Sequence, residues 1–188
     1  MNPKIILIGN GPSALDHKFG KVIDSYGTVV RFSWFHIEGY EDCVGSKTDV
    51  WFTTVACPSR MKKPYRQIFE HSWEWDKQKD RNYKKLKENY PNTKVSKVKR
   101  KTLEEMQEFA GNRDYWNYST GAIAAYLLSK EYGQVTLYGF DWWEKRDKHH
   151  YGDEQTIGSL HKTDYELKFF SKLAECNRVV SLSPDSAI

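Results

Sequence analysis

The stretch Lys4-Ile-Ile-Leu-Ile-Gly-Asn-Gly-Pro-Ser13 decides the fold prediction. A short apolar run that ends in glycine is typical of a buried strand that opens into a turn. Gly11 and Pro12 cannot continue the strand, so a loop is expected from Asn10 onward. Glycines in this loop allow backbone amides to approach a ligand, and the Asn10 side chain both donates and accepts hydrogen bonds. Taken alone, the loop is explained equally well as a tight turn.

The same loop argues against two common nucleotide sites. It lacks the three spaced glycines of the dinucleotide-binding fingerprint, and it lacks the Gly-Lys-Ser/Thr of a phosphate-binding loop. NAD and ATP therefore lose support as ligands.

Composition sets the wider bounds. The chain has 188 residues, of which 29% are charged and 39% hydrophobic, and this is typical of a single globular domain spanning 1–188. No apolar run approaches the length of a membrane span, and no secretory leader opens the sequence. The cysteines are odd in number and unevenly spaced, so we expect free thiols at Cys43, Cys57 and Cys176.

Strand-like and helix-like stretches alternate along the chain. Short β-branched or aromatic runs predict further strands at 29–33, 49–54, 134–140 and 179–182. Helices are predicted from Ser119-Thr120-Gly121 to Gly133 and over 163–174, with one or two surface helices within 64–90. This alternation predicts an α/β fold: one Rossmann-like domain with a mostly parallel, twisted sheet flanked by helices. Its ligand site should lie beyond the carboxyl ends of the strands.

A second candidate site opens the helix that follows Tyr118. Ser119 and Thr120 supply two hydroxyl groups, and the first backbone amides of a helix favour an anion such as a single phosphate. Simple N-capping by these hydroxyls is the commoner explanation when the segment is taken by itself.

A histidine cluster follows the predicted strand 134–140. It comprises His149, His150 and His161, with Tyr151 and Glu166 nearby. Because imidazole titrates near neutrality, one histidine could take a proton from an acceptor hydroxyl while another, protonated, stabilises a leaving phosphate. Zinc binding is the competing interpretation, but there is no helical His-x-x-x-His pair or cysteine partner, so we expect no metal.

Taken in order, these segments resemble the sialylmotifs of glycosyltransferase family 29, the sialyltransferases. The large motif is resembled by Gly9-Asn10-Gly11, Val30-Arg31-Phe32-Ser33 and the stretch from Gly39 to Thr48. The small motif is resembled by Tyr118-Ser119-Thr120-Gly121 through Val135-Thr-Leu-Tyr-Gly-Phe140. The third motif is matched by His150-Tyr151, and the very small motif by His161 with Glu166. Each piece alone is weak, but four in the right order are specific.

The resemblance implies an enzyme with a GT-A-like variant of the Rossmann fold, a CMP-activated sugar donor, inversion at the sugar carbon and no metal or other cofactor. By motif match, His161 is the general base, and His150 with Tyr151 contacts the departing phosphate, a role that His149 could also fill. Glu166 is expected to orient the helix that follows His161. The resemblance places the donor against the following residues: Gly9, Asn10, Gly11, Ser13, Ser33, Ser119, Thr120, Gly121, Gly139 and Phe140.

Three departures from the family pattern shape the expectation. The family commonly has Asn at the position of Ser33, and its animal members carry a disulfide between the large and small motifs and a membrane anchor. Neither of these two features is found here, so we expect a bacterial or viral member in the cytoplasm, and peripheral placement at the inner membrane surface stays open. Kdo, like sialic acid, is a 2-keto sugar acid activated by CMP, so both donors stay open.

The stretch 56–112 shows no resemblance, and we interpret it as a variable basic insert. Its most basic part, 77–101, could attract an anionic glycan or glycolipid acceptor, a lipid head group or nucleic acid, although a solvated charged face is the commoner meaning and nucleic acid is disfavoured. Trp142 and Trp143 are candidates to stack on acceptor sugar rings. The alternative function is a non-catalytic module that binds CMP or a glycan.

Overall fold

The computed structural model describes residues 4–54, 64–72, 79–141, 149–152 and 162–183. These residues form one seven-stranded sheet in the order β5-β4-β3-β2-β1-β6-β7, in which all neighbouring strands are parallel. The strands are β1 (Ile5–Ile8), β2 (Thr28–Phe32), β3 (Val50–Thr53), β4 (Gln67–Glu70), β5 (Lys94–Lys97), β6 (Val135–Tyr138) and β7 (Val179–Ser181). The α/β prediction with a mostly parallel sheet is therefore confirmed.

Helices cover both faces of this sheet. A short 3-10 helix (Pro12–Leu15) follows β1, and the α-helices are α1 (Gly20–Asp24), α2 (Glu41–Val44), α3 (Lys79–Asn89), α4 (Arg100–Ala110), α5 (Thr120–Tyr132) and α6 (Thr163–Glu175). Every predicted strand and helix outside 64–90 is present, with ends that differ by a few residues. Both ends of α5 lie where the sequence predicts them, because Ser119 is its N-cap and Gly133, with φ of 81°, is its C-cap.

The alternation of side chains along the strands builds the two layers of the core. Ile5 and Leu7 of β1 face the layer formed by α4, α5 and α6, whereas Ile6 and Ile8 face the layer of the 3-10 helix, α1 and α2. On that second face Trp51 of β3 packs with the buried Leu86 of α3, so α3 covers the β3–β5 half of the sheet.

The interpretation of 64–90 as one or two helices is partly wrong. Only α3 is helical there, whereas Gln67–Glu70 forms strand β4 between β3 and β5. Ile68 is completely buried, but it is flanked by a glutamine and a half-buried phenylalanine, so the run has no strong strand pattern. Two further elements, β5 and α4, were not predicted. Together they show that much of the basic stretch 56–112 is part of the main sheet and its flanking layers.

Candidate donor-binding and catalytic site

The sheet reverses its strand order between β1 and β6, and the loop after β1 lies at this point. The Gly9 amide donates to the Tyr138 carbonyl at 2.7 Å, and the Gly11 amide donates to the Gly139 carbonyl at 3.0 Å. A Cβ on Gly9 would lie 2.2 Å from the Gly139 oxygen, and Gly139 itself has φ of 72°. Both glycines are therefore required by the close approach of the two loops. In doubly wound folds this crevice is where ligands bind.

Asp141 is a site residue that the sequence analysis missed. Its Oδ2 accepts a hydrogen bond from the Ser13 amide at 3.2 Å. A Cβ on Gly11 would lie 2.2 Å from the same oxygen, so the carboxylate fits against the turn only because Gly11 has no side chain. The available signal was positional: Asp141 follows the end of β6 directly, across the crevice from the β1 loop.

Asn10 connects three parts of the crevice. Its side-chain Nδ2 donates to the Phe32 carbonyl at 3.3 Å, at the end of β2. Its backbone oxygen accepts from the His150 amide at 2.9 Å. Within the described ranges no donor contacts its Oδ1, so this half-buried oxygen can accept a hydrogen bond from a ligand.

His150 lies buried between two backbone carbonyls. Its Nε2 is 3.0 Å from the His36 oxygen and its Nδ1 is 3.3 Å from the Asn10 oxygen, and the residue is only 6% exposed. Burial lowers the pKa of His150, and the two carbonyls oppose that shift because they favour a ring protonated on both nitrogens. A phosphate could reach this ring only if one carbonyl contact were exchanged.

A group of aromatic rings surrounds His150. Tyr40 meets its ring edge-on at 5.4 Å between centroids, and Tyr151 meets it at 5.0 Å. His149 stacks on Tyr151 at 5.0 Å, and the half-buried His36 lies 5.8 Å from the same tyrosine. His36 was also missed by the sequence analysis. It belongs to the loop that leaves β2, at the carboxyl edge where the sheet places ligands.

The N-terminus of α5 is closed by a carboxyl group from α6. The Ser119 amide donates to Glu166 Oε1 at 2.7 Å and the Ser119 hydroxyl donates to Oε2 at 2.8 Å, while Ser119 Oγ accepts from the Ala122 amide at 3.1 Å. Burial raises the pKa of Glu166 to about 7, against the two hydrogen bonds from Ser119. Ser119 thus caps the helix, as the simpler interpretation has it. In the described part of the chain no acceptor contacts the amides of Thr120 and Gly121.

Phe140 brings the two distant glycine segments together. A Cβ on Gly121 would lie 2.8 Å from its ring, and a Cβ on Gly9 would lie 3.1 Å from it. The ring also packs edge-on against Phe32, at 5.9 Å between centroids. The loop after β1, the end of β2 and the start of α5 therefore meet around one aromatic side chain.

Ser33 and Arg31 shape the segment between β2 and β3. Ser33 has φ of 47°, and its backbone is held by the Phe52 carbonyl at 2.8 Å and the Trp51 Nε1 at 2.9 Å. Arg31 is 1% exposed and donates to the carbonyls of Val44, Gly45 and Lys47 and to the Thr48 hydroxyl. Arg31 thus joins β2 to the loop 39–48, and both segments belong to the stretch that resembles the large sialylmotif.

Three predicted site residues, His161, Trp142 and Trp143, lie outside the described residues. Thr163 begins α6, two positions after His161, and Glu166 lies in the first turn of that helix. Cys43 and Cys176 are free thiols as predicted, and Cys57 also lies outside the described residues. Among the residues that the structure describes, no three His, Cys, Asp or Glu side chains are grouped as metal ligands would be. No helix in the described ranges combines the length and apolar character needed to cross a membrane.

A doubly wound parallel sheet with a glycine-lined crevice at its switch point defines an α/β protein whose ligand is expected in that crevice. Comparison with known proteins narrows this class. The sequence profile of glycosyltransferase family 29 (sialyltransferase) matches residues 4–113, and the chain belongs to that family. No curated protein sequence matches the chain.

Two solved structures share the fold. The crystal structure of a mammalian sialyltransferase superposes with a TM-score of 0.68 at 19% sequence identity, over 95% of this chain and 68% of that one. A mammalian sialyltransferase in complex with Gal-beta-1-3GalNAc-ortho-nitrophenol gives a TM-score of 0.65 at 18% identity, with the same coverage. The predicted family resemblance is confirmed, and glycosyltransferase activity follows from family membership.

Proposed function

We propose that this glycosyltransferase moves sialic acid, or the related sugar acid Kdo, from a CMP donor to a glycan hydroxyl with inversion and without a metal ion. The observation that carries the proposal is the meeting of Gly9 and Gly121 around Phe140 at the switch point of the sheet. Two segments over a hundred positions apart thereby line one crevice, as a nucleotide-sugar site requires.

The nucleotide would bind along the loop after β1. Asn10 Oδ1 can accept a hydrogen bond from a ribose hydroxyl or the cytosine amino group, and the Ser13 hydroxyl lies in the same loop. We place Ser33, Gly139 and Phe140 at the border of this pocket, because β2 and β6 end there beside β1.

The phosphate would lie between the start of α5 and the cluster around His150. The amides of Thr120 and Gly121 point out of a helix N-terminus, which favours an anion. Glu166 would oppose a phosphate when ionised, but its pKa near 7 leaves it partly neutral at physiological pH. We assign the phosphate contact to Tyr151 and His150, of which His150 would have to exchange one carbonyl contact, and His149 could take the place of His150.

The chemical step needs one base. We assign it to His161, whose imidazole would take the proton of the acceptor hydroxyl as that oxygen attacks the anomeric carbon. The bond from this carbon to the CMP phosphate breaks, and CMP leaves with the electron pair. Glu166, fixed on Ser119, would orient the start of α6 directly after the base. Trp142 and Trp143 are proposed to contact the acceptor.

Two histidine variants separate base from phosphate contact. His161→Ala should keep CMP affinity and lose roughly 10²–10⁴ in turnover, as general-base removal does. His150→Ala should weaken CMP binding as well as turnover. Calorimetry measures the CMP affinity, and CMP-release kinetics measure the turnover. His17→Ala, at a half-buried ring stacked on Phe19, serves as the control and should change neither. Full turnover in His161→Ala would remove the assignment of the base.

The alternative is a module that binds CMP or a glycan without turnover. It predicts CMP binding by the wild type and no CMP release with any acceptor, so the same assays decide between the two. We also propose a cytoplasmic location, supported by the free thiols of Cys43 and Cys176. Activity that is lost on adding a reducing agent would contradict this location.

A further inference from the structure

The basic residues of the chain are concentrated at one end of the sheet. Residues 80–101 contain nine Lys and Arg against two acids, a net charge of +7 within a chain whose total is +4, which leaves −3 for all other residues. The protein is thus strongly polarised, although its total charge is small.

Three elements bring these charges onto one surface. Helix α3 exposes Arg81, Lys84, Lys85 and Lys87 on one face of the sheet. Strand β5 carries exposed lysines at both of its ends, Lys94 and Lys97. Helix α4 begins on the opposite face with Lys99, Arg100 and Lys101, all exposed. Because β5 ends the described sheet, the charges wrap around that edge, and we name residues 80–101 the basic edge.

Contacts between the elements hold this surface together. Lys97 forms an ion pair with Asp80, which joins β5 to the start of α3. The Tyr83 ring lies under two ammonium groups, with Lys97 Nζ at 4.9 Å and Lys87 Nζ at 5.8 Å from its centroid. Arg100 lies over Trp116 at 5.3 Å. The basic edge is therefore an ordered surface of packed side chains.

The chemistry of the basic edge favours a charged surface over a single anion. Seven of its nine basic residues are lysines, which act as point charges and lack the planar fork by which arginine fixes one phosphate. Of its two aromatic rings, Tyr90 is buried and Tyr83 is half-buried beneath lysines, so neither offers a stacking platform for the bases of a nucleic acid. Clusters of this size bind the anionic head groups of a bilayer.

We propose that the basic edge docks this protein on an anionic lipid bilayer. All strands of the sheet are parallel, so Lys97, Lys99 and Lys101 follow the same carboxyl edge at which the loop after β1 opens. Docking through the basic edge would therefore hold the crevice at the carboxyl ends of the strands near the membrane surface. The inference goes beyond the proposed transfer reaction and does not depend on it.

The test is vesicle co-sedimentation of the full chain. Wild-type protein should bind vesicles of phosphatidylcholine mixed with phosphatidylglycerol, should not bind phosphatidylcholine alone, and should be released by added salt. Lys84→Gln/Lys85→Gln should weaken binding roughly twenty-five-fold, since each basic residue near such a surface contributes roughly fivefold. The matched double variant Lys21→Gln/Lys168→Gln removes two exposed lysines outside the basic edge and should bind as the wild type does.

Absence of binding to anionic vesicles by the wild type would overturn the proposal. Equal losses in the two double variants would overturn the assignment to this surface. Tighter binding to a single-stranded oligonucleotide than to the vesicles at the same salt concentration would replace the bilayer by nucleic acid. Circular dichroism of both variants would check that each is folded.

Discussion

Glu166 is a completely buried carboxyl group on α6 whose two oxygens both accept from Ser119. Its folded pKa of about 7 exceeds the ordinary value, so the folded protein retains a proton that the unfolded chain has already released. Stability from this group is therefore present at low pH and is lost as the pH rises through 7.

Glu166→Gln removes this titration and keeps the side-chain shape. Relative to the wild type, the variant should gain stability as the pH rises from about 5 to 8, by up to about 3 kcal/mol. Urea unfolding at several pH values measures the difference. Glu175→Gln, at an exposed position of the same helix, should give a difference that stays flat with pH. A flat difference for Glu166→Gln as well would mean that Glu166 is not the titrating group.

Ser33 occupies the left-handed backbone region at the carboxyl end of β2, with φ of 47°. Asparagine tolerates this region better than other side chains, and Asn177 already occupies it elsewhere in the chain. Ser33→Asn should raise the free energy of unfolding by a few tenths of a kcal/mol to about 1 kcal/mol, whereas Ser33→Val should lower it by about 1–3 kcal/mol. Denaturant midpoints check both, and the reverse order would contradict the assigned conformation.

Local sequence signals explain which site residues could be predicted. Gly9, Asn10 and Ser119 could be predicted, because each lies at a strand end or helix start with a recognised pattern. Asp141 also follows a strand, but neither it nor His36 belongs to a recognised motif, and the strand order of the sheet brings both of them to the crevice. Likewise, the two carbonyls that flank His150 come from segments over a hundred positions away.

At the scale of elements, Arg31 fastens β2 to the loop that carries α2. Its guanidinium is buried without a carboxylate partner in hydrogen-bonding distance among the described residues, and it binds three carbonyls and one hydroxyl. Burial lowers the pKa of Arg31 to about 10, while the negative charge of Asp24 opposes that shift. The conformation of the loop 39–48 therefore depends on the Arg31 side chain.

Arg31→Met should therefore destabilise the protein by at least about 2 kcal/mol, because the buried carbonyls of Val44 and Gly45 and the partly buried carbonyl of Lys47 would lose their donor. Thermal unfolding measures the loss. Arg66→Met is the matched control: Arg66 is exposed, and among the described residues its guanidinium makes one hydrogen bond, to Thr28 Oγ1 at 2.8 Å. Losses of equal size in the two variants would show that the hydrogen bonds of Arg31 stabilise the protein no more than the contact of an exposed arginine does.

The elements that the sequence did not reveal lie at the basic end of the sheet. β5 reads Lys-Val-Ser-Lys, with its two lysines exposed, and an edge strand protected by charge has neither a continuous apolar run nor a clean alternation. β1, by contrast, is buried along its whole length and was predicted from Ile5–Ile8. Sequence patterns therefore identified the central strands and also β7, at the other edge of the sheet, but missed β4 and β5 toward the basic end.

For the whole molecule, CMP should stabilise the fold by binding in the crevice between β1 and β6. At a CMP concentration of 100 times its dissociation constant the gain is about 2.7 kcal/mol, seen as a rise in melting temperature. We predict the same rise in EDTA and in magnesium, with no comparable rise from AMP. Stabilisation that disappears on chelation would contradict the metal-free mechanism.

The most direct test of the proposed activity is a donor assay. The purified chain is incubated in EDTA with CMP-sialic acid or CMP-Kdo, with and without glycan acceptors, and released CMP is measured. We predict CMP release that depends on an acceptor for at least one of the two donors, with the sugar transferred to that acceptor. No acceptor-dependent release with either donor, by a protein that binds CMP, would contradict transfer and favour the binding module.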